Sequence, residues 1–272
     1  MSPVQEAQFA TLGQNITALE VDGSFDDCQA LVKAAFLDPD LRGALRLTSA
    51  NSINVARFLP QAFYYFHGYA QLARRGKADR LVVCVPSGNF GNICAALVAK
   101  RMGLPIHRFI AANNRNDVFF NYLQTGSYTP AYSIRTLANA MDVGNPSNFA
   151  RILDLYDQQW KAIRKDISGA VVGDGTIIST IRQCYEETGY LLDPHGACGY
   201  RALKDGLQEG ETGLFCETAH PAKFRETVSR ATGSDVPLPD RLAAFLSGIK
   251  QSVPLSATFP AFKTFLLSYA LR

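Results

Sequence analysis

The chain has 272 residues, of which 47% are hydrophobic and 19% charged, with a formal net charge of +3 at pH 7. This composition is that of an ordinary globular protein with enough apolar side chains for a sizeable core. The charge is too small, and the basic residues too scattered, to indicate a nucleic-acid or anionic-membrane partner. No apolar run approaches the ~20 residues that cross a bilayer, so no membrane span is predicted.

The six cysteines include no Cys-x-x-Cys pair. Most lie in apolar runs, which favours buried free thiols and a reducing compartment. The N-terminus lacks a basic start followed by an apolar stretch, so no secretory signal is predicted. Together these features predict a cytoplasmic protein.

The first third of the chain alternates between predicted helices and strands. Residues 4–12 have helical periodicity, and residues 15–23 (NITALEVDG) alternate like a strand. Ser24, followed closely by acidic residues, has the features of a helix N-cap. Residues 44–54 (ALRLTSANSIN) are predicted as a second strand that runs into a polar loop, and a long aromatic helix is predicted over 57–75.

A central strand is predicted at residues 81–85 (LVVCV), followed by a small-residue loop and a helix-forming segment. Another strand is predicted at 107–114, and an interrupted helical region over 118–160. Two helices and a last strand follow, at 174–190, 195–207 and from 212.

Strands that alternate with helices predict an α/β fold with doubly wound, mostly parallel sheets. In such sheets the ligand lies beyond the carboxyl ends of the strands. Three polar clusters fall at predicted strand ends, and they read TSANSIN, PSGNFGN and ETAHPAK.

The middle cluster has the features of an anion-binding loop. It is neither a P-loop nor a G-x-G-x-x-G fingerprint, which leaves a small phosphate held by loop amides and a helix N-terminus. The Ser87 hydroxyl would add a donor, and Gly88 and Gly91 would allow close backbone approach. The alternative is a tight turn with a purely structural role.

The other clusters permit two interpretations each. Asn51, Ser52 and Arg57 would suit a second phosphate or a carboxylate, or they form a capped helix start with a solvated arginine. His195 and His220 are each more typical of structural histidines, and no metal site is predicted because neither has metal-ligand spacing with a Cys or a carboxylate.

Taken in order, these clusters resemble the threonine synthase family, which depends on pyridoxal 5'-phosphate and converts O-phosphohomoserine and water to threonine and phosphate. The resemblance runs from Ser2 to about Gly233 and is carried by the segments SPVQEAQFATLGQNITALEVDGSFDDCQALVKAAF, LTSANSINVARFLPQAFYYF, VPSGNFGN, NAMDVGNPSNFARI, DPHGACGYRAL and ETAHPAKF.

The resemblance implies roles for the residues of these clusters. The loop would hold the cofactor's phosphate, and its residues are Ser87, Gly88, Asn89, Phe90, Gly91 and Asn92. Thr218 would hydrogen-bond the pyridine nitrogen with a neutral hydroxyl. Asn51, Ser52 and Arg57 match the family's positions for the substrate phosphate.

The resemblance also implies the fold type II architecture, similar to the tryptophan synthase β subunit. Residues 1–58 would be the remainder of a small α/β lobe, 59–234 the large cofactor-binding lobe, and 235–272 a tail whose packing is not predicted.

One departure from the family concerns the segment that precedes the motif beginning at Ser2. In the family this segment carries H-G-P-T-x-A-F-K-D, whose lysine forms the Schiff base with the cofactor, and T-S-G-D-T-G, expected to hold the substrate carboxylate. No lysine of this chain lies in a matching motif, so no catalytic residue is predicted in it. A companion N-terminal polypeptide, self-association or a different closure by the C-terminal region would complete the fold.

Three functions therefore stay open at this point. The chain is a threonine synthase or its C-terminal fragment, an inactive fragment that binds pyridoxal phosphate or phosphate, or a related phospho-lyase that releases a keto acid.

Overall fold

The structure is a computed structural model that describes residues 3–270, so Ser2, where the family resemblance begins, lies outside the described residues. The chain divides into two compact units. The smaller unit comprises Met1–Ser49 and Pro237–Arg272, and the larger unit comprises Ala50–Val236.

Within residues 3–270 the structure has six strands and fourteen α-helices. The strands are β1 (Ala18–Asp22), β2 (Leu81–Pro86), β3 (Ile106–Asn113), β4 (Ile167–Val171), β5 (Thr212–Phe215) and β6 (Ser252–Ser256). The helices are α1 (Pro3–Ala10), α2 (Phe25–Leu37), α3 (Pro39–Ala44), α4 (Val55–Phe58), α5 (Ala62–Arg74), α6 (Gly91–Arg101), α7 (Val118–Thr125), α8 (Phe149–Leu155), α9 (Trp160–Asp166), α10 (Asp174–Thr188), α11 (Pro194–Gly206), α12 (Arg225–Thr232), α13 (Asp240–Leu246) and α14 (Phe259–Ala270). Short 3₁₀ segments lie at Leu59–Gln61, Asn139–Met141 and Pro221–Phe224.

The larger unit is built on a four-stranded sheet in the order β4-β3-β2-β5, in which every pair of neighbours is parallel. From β2 the chain continues to β3 and β4 on one side, while β5 lies on the other side of β2. The boundary between β2 and β5 is therefore a topological switch point, where ligands bind in open parallel sheets.

Helices cover both faces of this sheet, which confirms the predicted doubly wound α/β fold. On one face, Val83 of β2 and Phe109 of β3 join the main core with Ile93 of α6. On the other face α11 packs closely, since Gly199 lies against Pro86 and Gly206 against Ile110. Strand β2 is buried on both sides, which explains its uninterrupted apolar sequence.

The smaller unit contains a two-stranded parallel sheet of β1 and β6, paired from Ala18 with Ser252 to Asp22 with Ser256. Helix α14 packs on α2 and α3, and α1 packs on α13. Ser24 caps α2 in a capping box with Asp27, as the sequence predicts.

The lobe boundaries expected from the sequence, after residues 58 and 234, differ from the unit boundaries in the structure, which fall after Ser49 and Val236. Residues 50–58 lie in the larger unit because Phe58 is buried in its core. The segment from 237 to 270 belongs with the beginning of the chain, because β6 pairs with β1.

Two predicted elements are wrong. Residues 45–54 form no strand; Asn51 instead turns the chain by accepting a hydrogen bond from the Ile53 amide, at 3.1 Å. The long aromatic helix is interrupted between α4 and α5 by the 3₁₀ segment that contains Pro60, whose missing N–H cannot continue an α-helix.

Strands β4 and β6 are absent from the sequence prediction. No helix within residues 3–270 is both long and apolar enough to cross a bilayer.

Candidate functional site

A cleft of about 300 Å³ opens in the larger unit, beyond the carboxyl ends of β2 and β5. It lies at the switch point of the sheet. Its lining residues come from the start of α5, the β2–α6 loop, the 3₁₀ turn before α8, the start of α11 and the segment after β5, and they are Gln61, Tyr64, Pro86, Gly88, Asn92, Ala140, Met141, His195 and Thr218.

The β2–α6 loop presents a helix N-terminus to this cleft. Phe90 precedes α6 with a left-handed backbone, at φ 61°, and its buried ring packs on Phe119 with centroids 4.7 Å apart. Within the described residues, the backbone amides of Gly88, Gly91 and Asn92 donate to no protein acceptor. Unpaired amides at the positive end of a helix dipole form a site for an anion.

The two glycines of this loop are required by the protein segments packed against them. A Cβ on Gly88 would lie 2.6 Å from the Ala140 carbonyl oxygen, and a Cβ on Gly91 would lie 2.5 Å from the Ser52 Cβ. The sequence prediction attributed these glycines to the approach of a ligand, and the structure supplies a second reason.

Both donors of Ser87 are engaged inside the protein. The hydroxyl donates to the Val85 carbonyl at 2.8 Å, and the amide donates to the Ala112 carbonyl at 2.8 Å. The side chain is buried and points into the sheet. In this arrangement the loop offers amides from Gly88 onward, rather than the predicted Ser87 hydroxyl.

Asn51 and Ser52 brace the loop. Asn89 donates to the Ser52 hydroxyl at 3.1 Å and to the side-chain amide oxygen of Asn51 at 3.3 Å. Asn148 donates to the same Ser52 hydroxyl at 3.0 Å. Two of the three residues predicted to bind a second anion, Asn51 and Ser52, therefore lie beside the loop, with their side chains hydrogen-bonded to protein partners.

Arg57 lies apart from the cleft lining. Its side chain is exposed, and its Nε donates to the Ala50 carbonyl at 3.0 Å. The sequence prediction did not single out Arg151. Its guanidinium holds the segment before α4 by donating to the backbone carbonyls of Ser52 at 3.0 Å and Ile53 at 2.6 Å. The segment NAMDVGNPSNFARI contained this signal, but its contacts depend on the tertiary fold.

Tyr65 holds the side chain of Asn92. The Tyr65 hydroxyl donates to the side-chain amide oxygen of Asn92, and the Cys216 sulfur lies 3.5 Å from the same hydroxyl. Burial raises the pKa of Tyr65 well above its usual value, so the phenol stays a donor at physiological pH.

The turn that carries Ala140 and Met141 is held by a buried polar network. Asn114 donates to Thr136 and to Asp142, each at 2.8 Å, and Asn116 donates to the Ile134 carbonyl at 2.9 Å. These bonds fix the segment that closes over Gly88.

Thr218 is exposed and lines the cleft on the β5 side. His220, two residues later, caps the following 3₁₀ segment, since its Nδ1 accepts from the Ala222 amide at 3.1 Å. His220 therefore has a structural contact, while Thr218 is part of the cleft lining.

His195 was interpreted from sequence as a structural histidine, and the structure places it in the cleft wall. Its Nδ1 lies 2.5 Å from an Asp193 carboxylate oxygen, and its Nε2 accepts from the Ala140 amide at 3.1 Å. An acceptor at Nε2 carries no proton, so the ring is neutral with its proton on Nδ1. The Asp-Pro-His spacing predicts the N-cap of α11, but nothing local predicts the Ala140 contact.

Glu217 reaches the same place from the end of β5. Its Oε1 accepts from the Asp193 amide at 3.0 Å. Burial, followed by the neighbouring Asp193, raises the pKa of Glu217. Burial opposes ionisation of Asp193 too, but its hydrogen bonds with the His195 ring, with Glu217 and with the His195 amide act together to lower the pKa of Asp193.

A parallel sheet with a loop of unpaired amides, a threonine and a buried histidine around one cleft is an arrangement typical of α/β proteins that bind an anionic ligand at their strand ends. The family model of pyridoxal-phosphate dependent enzymes matches residues 1–216, and this chain belongs to that family. Its cofactor is pyridoxal phosphate. The model of the C-terminal part of threonine synthase matches residues 196–265.

The chain is similar to known threonine synthases over nearly its whole length. It is 48% identical to the threonine synthase of Serratia marcescens, over 98% of this chain and 62% of that protein. The crystal structure of threonine synthase from Escherichia coli superposes with a TM-score of 0.93 at 46% identity, covering 98% of this chain and 62% of the other. The structure of threonine synthase from Brucella melitensis with bound pyridoxal phosphate superposes with a TM-score of 0.84 at 34% identity, covering all of this chain and 64% of the other. This chain thus spans about three fifths of the length of these relatives.

Proposed function

We propose that this chain contributes the cofactor cleft of a threonine synthase, which converts O-phosphohomoserine and water to L-threonine and phosphate. The observation that carries the proposal is the 46% identity and TM-score of 0.93 to the Escherichia coli enzyme, joined to a cleft lined by the loop glycine Gly88 and by Thr218.

The residues present fit the cofactor. Unpaired amides of Gly88, Gly91 and Asn92 at the start of α6 would hold its phosphate, and the Thr218 hydroxyl would hydrogen-bond its pyridine nitrogen. A neutral hydroxyl at that position would leave the nitrogen unprotonated and moderate the electron demand of the ring. When bound, the cofactor supplies an electron sink for the charge that develops at the substrate's α-carbon.

The substrate's phosphate is proposed to bind near the loop that contains Asn51 and Ser52. Arg57 is the charged donor in this segment, and a doubly charged leaving phosphate requires charge-assisted hydrogen bonds. Its Nε bond to the Ala50 carbonyl orients the guanidinium while leaving its terminal nitrogens to face an anion.

The reaction also requires a lysine that links the cofactor and moves the α-proton. None of the nine residues that line the cleft is a lysine. We propose that this lysine comes from polypeptide outside the residues described here, on a preceding segment or a companion chain. Size-exclusion chromatography with light scattering separates these cases, because a companion chain raises the mass of the active species above that of one polypeptide.

The proposal is tested by phosphate release and product analysis. The purified protein is mixed with pyridoxal phosphate and O-phosphohomoserine, and released phosphate, threonine and keto acid are each measured. Release of phosphate with threonine supports the proposal. A keto acid in place of threonine assigns a phospho-lyase instead, and no phosphate release with any assembly of the chain overturns both.

A second candidate is a chain that binds pyridoxal phosphate or phosphate without turnover, which the lysine-free cleft lining favours. It predicts cofactor binding that borohydride does not trap covalently. Thr218→Val, which removes the hydroxyl at constant shape, is expected to weaken the binding, while Gly175→Ala, which adds a methyl group where no atom lies within 4 Å, serves as the control. Equal affinity of the Thr218 variant and the control would contradict the proposed role of the hydroxyl.

A cytoplasmic location is part of the proposal. All six cysteines have free thiols in the structure, as a reducing compartment favours. Cell fractionation with an antibody against the chain tests it.

A further inference from the structure

Two carboxyl groups lie together next to the cleft residues His195 and Thr218: Asp193 is fully buried, and Glu217 has a buried carboxyl oxygen. Asp193 caps the N-terminus of α11 by accepting from the His195 amide at 2.7 Å. Glu217 arrives from the end of β5, one residue before the cleft residue Thr218. The Asp193 amide, donating to Glu217 at 3.0 Å, joins the two segments.

If both carboxyl groups are ionised, one oxygen of each has no hydrogen-bond donor. Asp193 Oδ2 and Glu217 Oε2 are each buried without a donor among the described residues. An ionised carboxylate can only accept hydrogen bonds, and a buried acceptor without a donor is costly. Glu217 accepts from the amide of Asp193 itself, so the two carboxyl groups are neighbours, and a single proton between them supplies the missing donor.

The surroundings indicate which group holds that proton. Asp193 already receives donors from the His195 amide and ring and lies at the positive end of the α11 dipole, both of which favour its ionised form. Glu217 has one amide donor, from Asp193 itself. Glu217 is therefore the group that carries the proton.

Glu217 occupies space that is available only because residue 196 is a glycine. A Cβ at that position would lie 1.7 Å from Glu217 Oε2, so only glycine admits the carboxyl group to the first turn of α11. A neutral acid fits this location better than a second charge beside Asp193, because like charges in close contact cannot both ionise without a large cost.

We propose that Glu217 and Asp193 share one proton, and that this acid pair positions His195 as the Nδ1-protonated tautomer, which in turn holds the Ala140 turn against Gly88. The contacts run without interruption from Glu217 to Asp193, His195 and Ala140. They connect the Thr218 side of the cleft to the loop side. Glu217, Asp193 and His195 are thus positioning residues that set the distance between the two ends of the cofactor cleft.

The assignment of the two cleft ends as pyridine and phosphate sites rests on the proposed function. The proposal that Glu217 and Asp193 share a proton does not depend on it. The other titratable groups that face the pair are Tyr190 and, on α11, His195 and Cys198, with Asp174 on α10 facing Cys198. Burial, helped by neighbouring carboxylates, raises the pKa of both Tyr190 and Cys198, so these two are neutral at physiological pH. Asp193 is the charge in direct contact with Glu217.

The test is NMR spectroscopy of the full chain, without cofactor, labelled at glutamate side-chain carboxyls and histidine rings. At pH 7 one glutamate, assigned by its loss in Glu217→Gln, is expected at the chemical shift of a protonated acid. His195 is expected to show the pattern of a proton on Nδ1 and none on Nε2. A Glu217 signal that titrates near pH 4, or a His195 ring protonated on Nε2 at pH 7, would overturn the proposal.

Two variants separate positioning from general damage. Glu217→Gln retains a donor for Asp193 and is expected to keep the His195 tautomer and cofactor affinity within twofold of the parent. Glu217→Leu removes the donor and is expected to change the His195 pattern and weaken cofactor affinity at least tenfold. Glu209→Gln, at an exposed position, is the control. If the Leu variant does not fold, the signals of the parent protein alone still decide the proposal. Failure of the chain to bind cofactor would refute the proposed function and leave the NMR result unaffected.

Discussion

Gly88→Ala is the substitution whose effect follows most directly from the structure. Gly88 does not have a left-handed backbone, so alanine can adopt its conformation, and the effect comes from packing alone. The new Cβ would lie 2.6 Å from the Ala140 carbonyl oxygen and 2.9 Å from the Met141 Cα. Both neighbours are backbone atoms, so the turn has to move by several tenths of an ångström.

Two terms give the magnitude. Overpacking of a well-packed site by one methyl group costs about 1–3 kcal/mol. Movement of the turn also stretches the hydrogen bond from the Ala140 amide to His195, now 3.1 Å, which is worth about 0.5–1.5 kcal/mol. We expect the free energy of unfolding to fall by about 1.5–4.5 kcal/mol in total, and cofactor affinity to fall with it because the turn lines the cleft beside the unpaired amides of the loop.

The assay is urea unfolding, with cofactor affinity measured by absorbance titration. Gly175→Ala is the matched control, because Gly175 lies in α10 with no atom near its missing Cβ. Alanine there is expected to leave stability unchanged or to raise it by up to about 1 kcal/mol. If Gly88→Ala has the same unfolding midpoint and cofactor affinity as the control, the packing of the turn on the loop is not as described.

Three further predictions concern charge and the cleft. The pKa of Glu217 is raised from 4.5 to about 9, so folding retains a proton that the unfolded chain loses. Its contribution is complete below pH 4.5 and is lost as the pH rises towards 9, at about 1.4 kcal/mol per pH unit. Glu217→Gln should abolish this slope in urea unfolding measured across that range, and an unchanged slope would contradict the assignment. Hydrogen bonds from Arg108 lower the pKa of Glu211 from 4.5 to about 2, so this pair's stabilisation is complete above pH 4.5 and is lost as the pH falls towards 2. Arg108→Leu should cost about 3 kcal/mol at pH 7, and a cost below about 1 kcal/mol would show that Glu211 finds other partners. Thr218→Val should weaken cofactor binding by about tenfold, the loss of one hydrogen bond of about 1.4 kcal/mol, while the unfolding midpoint without cofactor stays unchanged because the side chain is exposed; a shifted midpoint would indicate a structural role instead.

Much of the fold could be predicted because its signals are local. Strand β2, the following loop and α6 lie next to one another in sequence, so the apolar run, the small residues and the helix formers are read together. The Ser24 cap involves residues only three apart. Such patterns depend on neighbours within a few residues, where backbone propensity and capping act.

Strand β6 could not be predicted because its stability comes from a distant partner. It is five residues long and contains Pro254, which pairs opposite Glu20 of β1. Proline removes a donor and normally argues against a strand. The pairing with β1, near the other end of the chain, overrides this local preference.

The sequence by itself determined the family, the doubly wound sheet and the position of the anion-binding loop, since each of these is written in contiguous residues. Only the tertiary structure decided which atoms of that loop remain available. Ser87 turned its hydroxyl to Val85, the space beside Gly88 and Gly91 was taken by Ala140 and Ser52, and His195 met Glu217 through Asp193. These outcomes depend on packing between segments far apart in the chain, and close packing is set by which surfaces meet rather than by any residue's local preference.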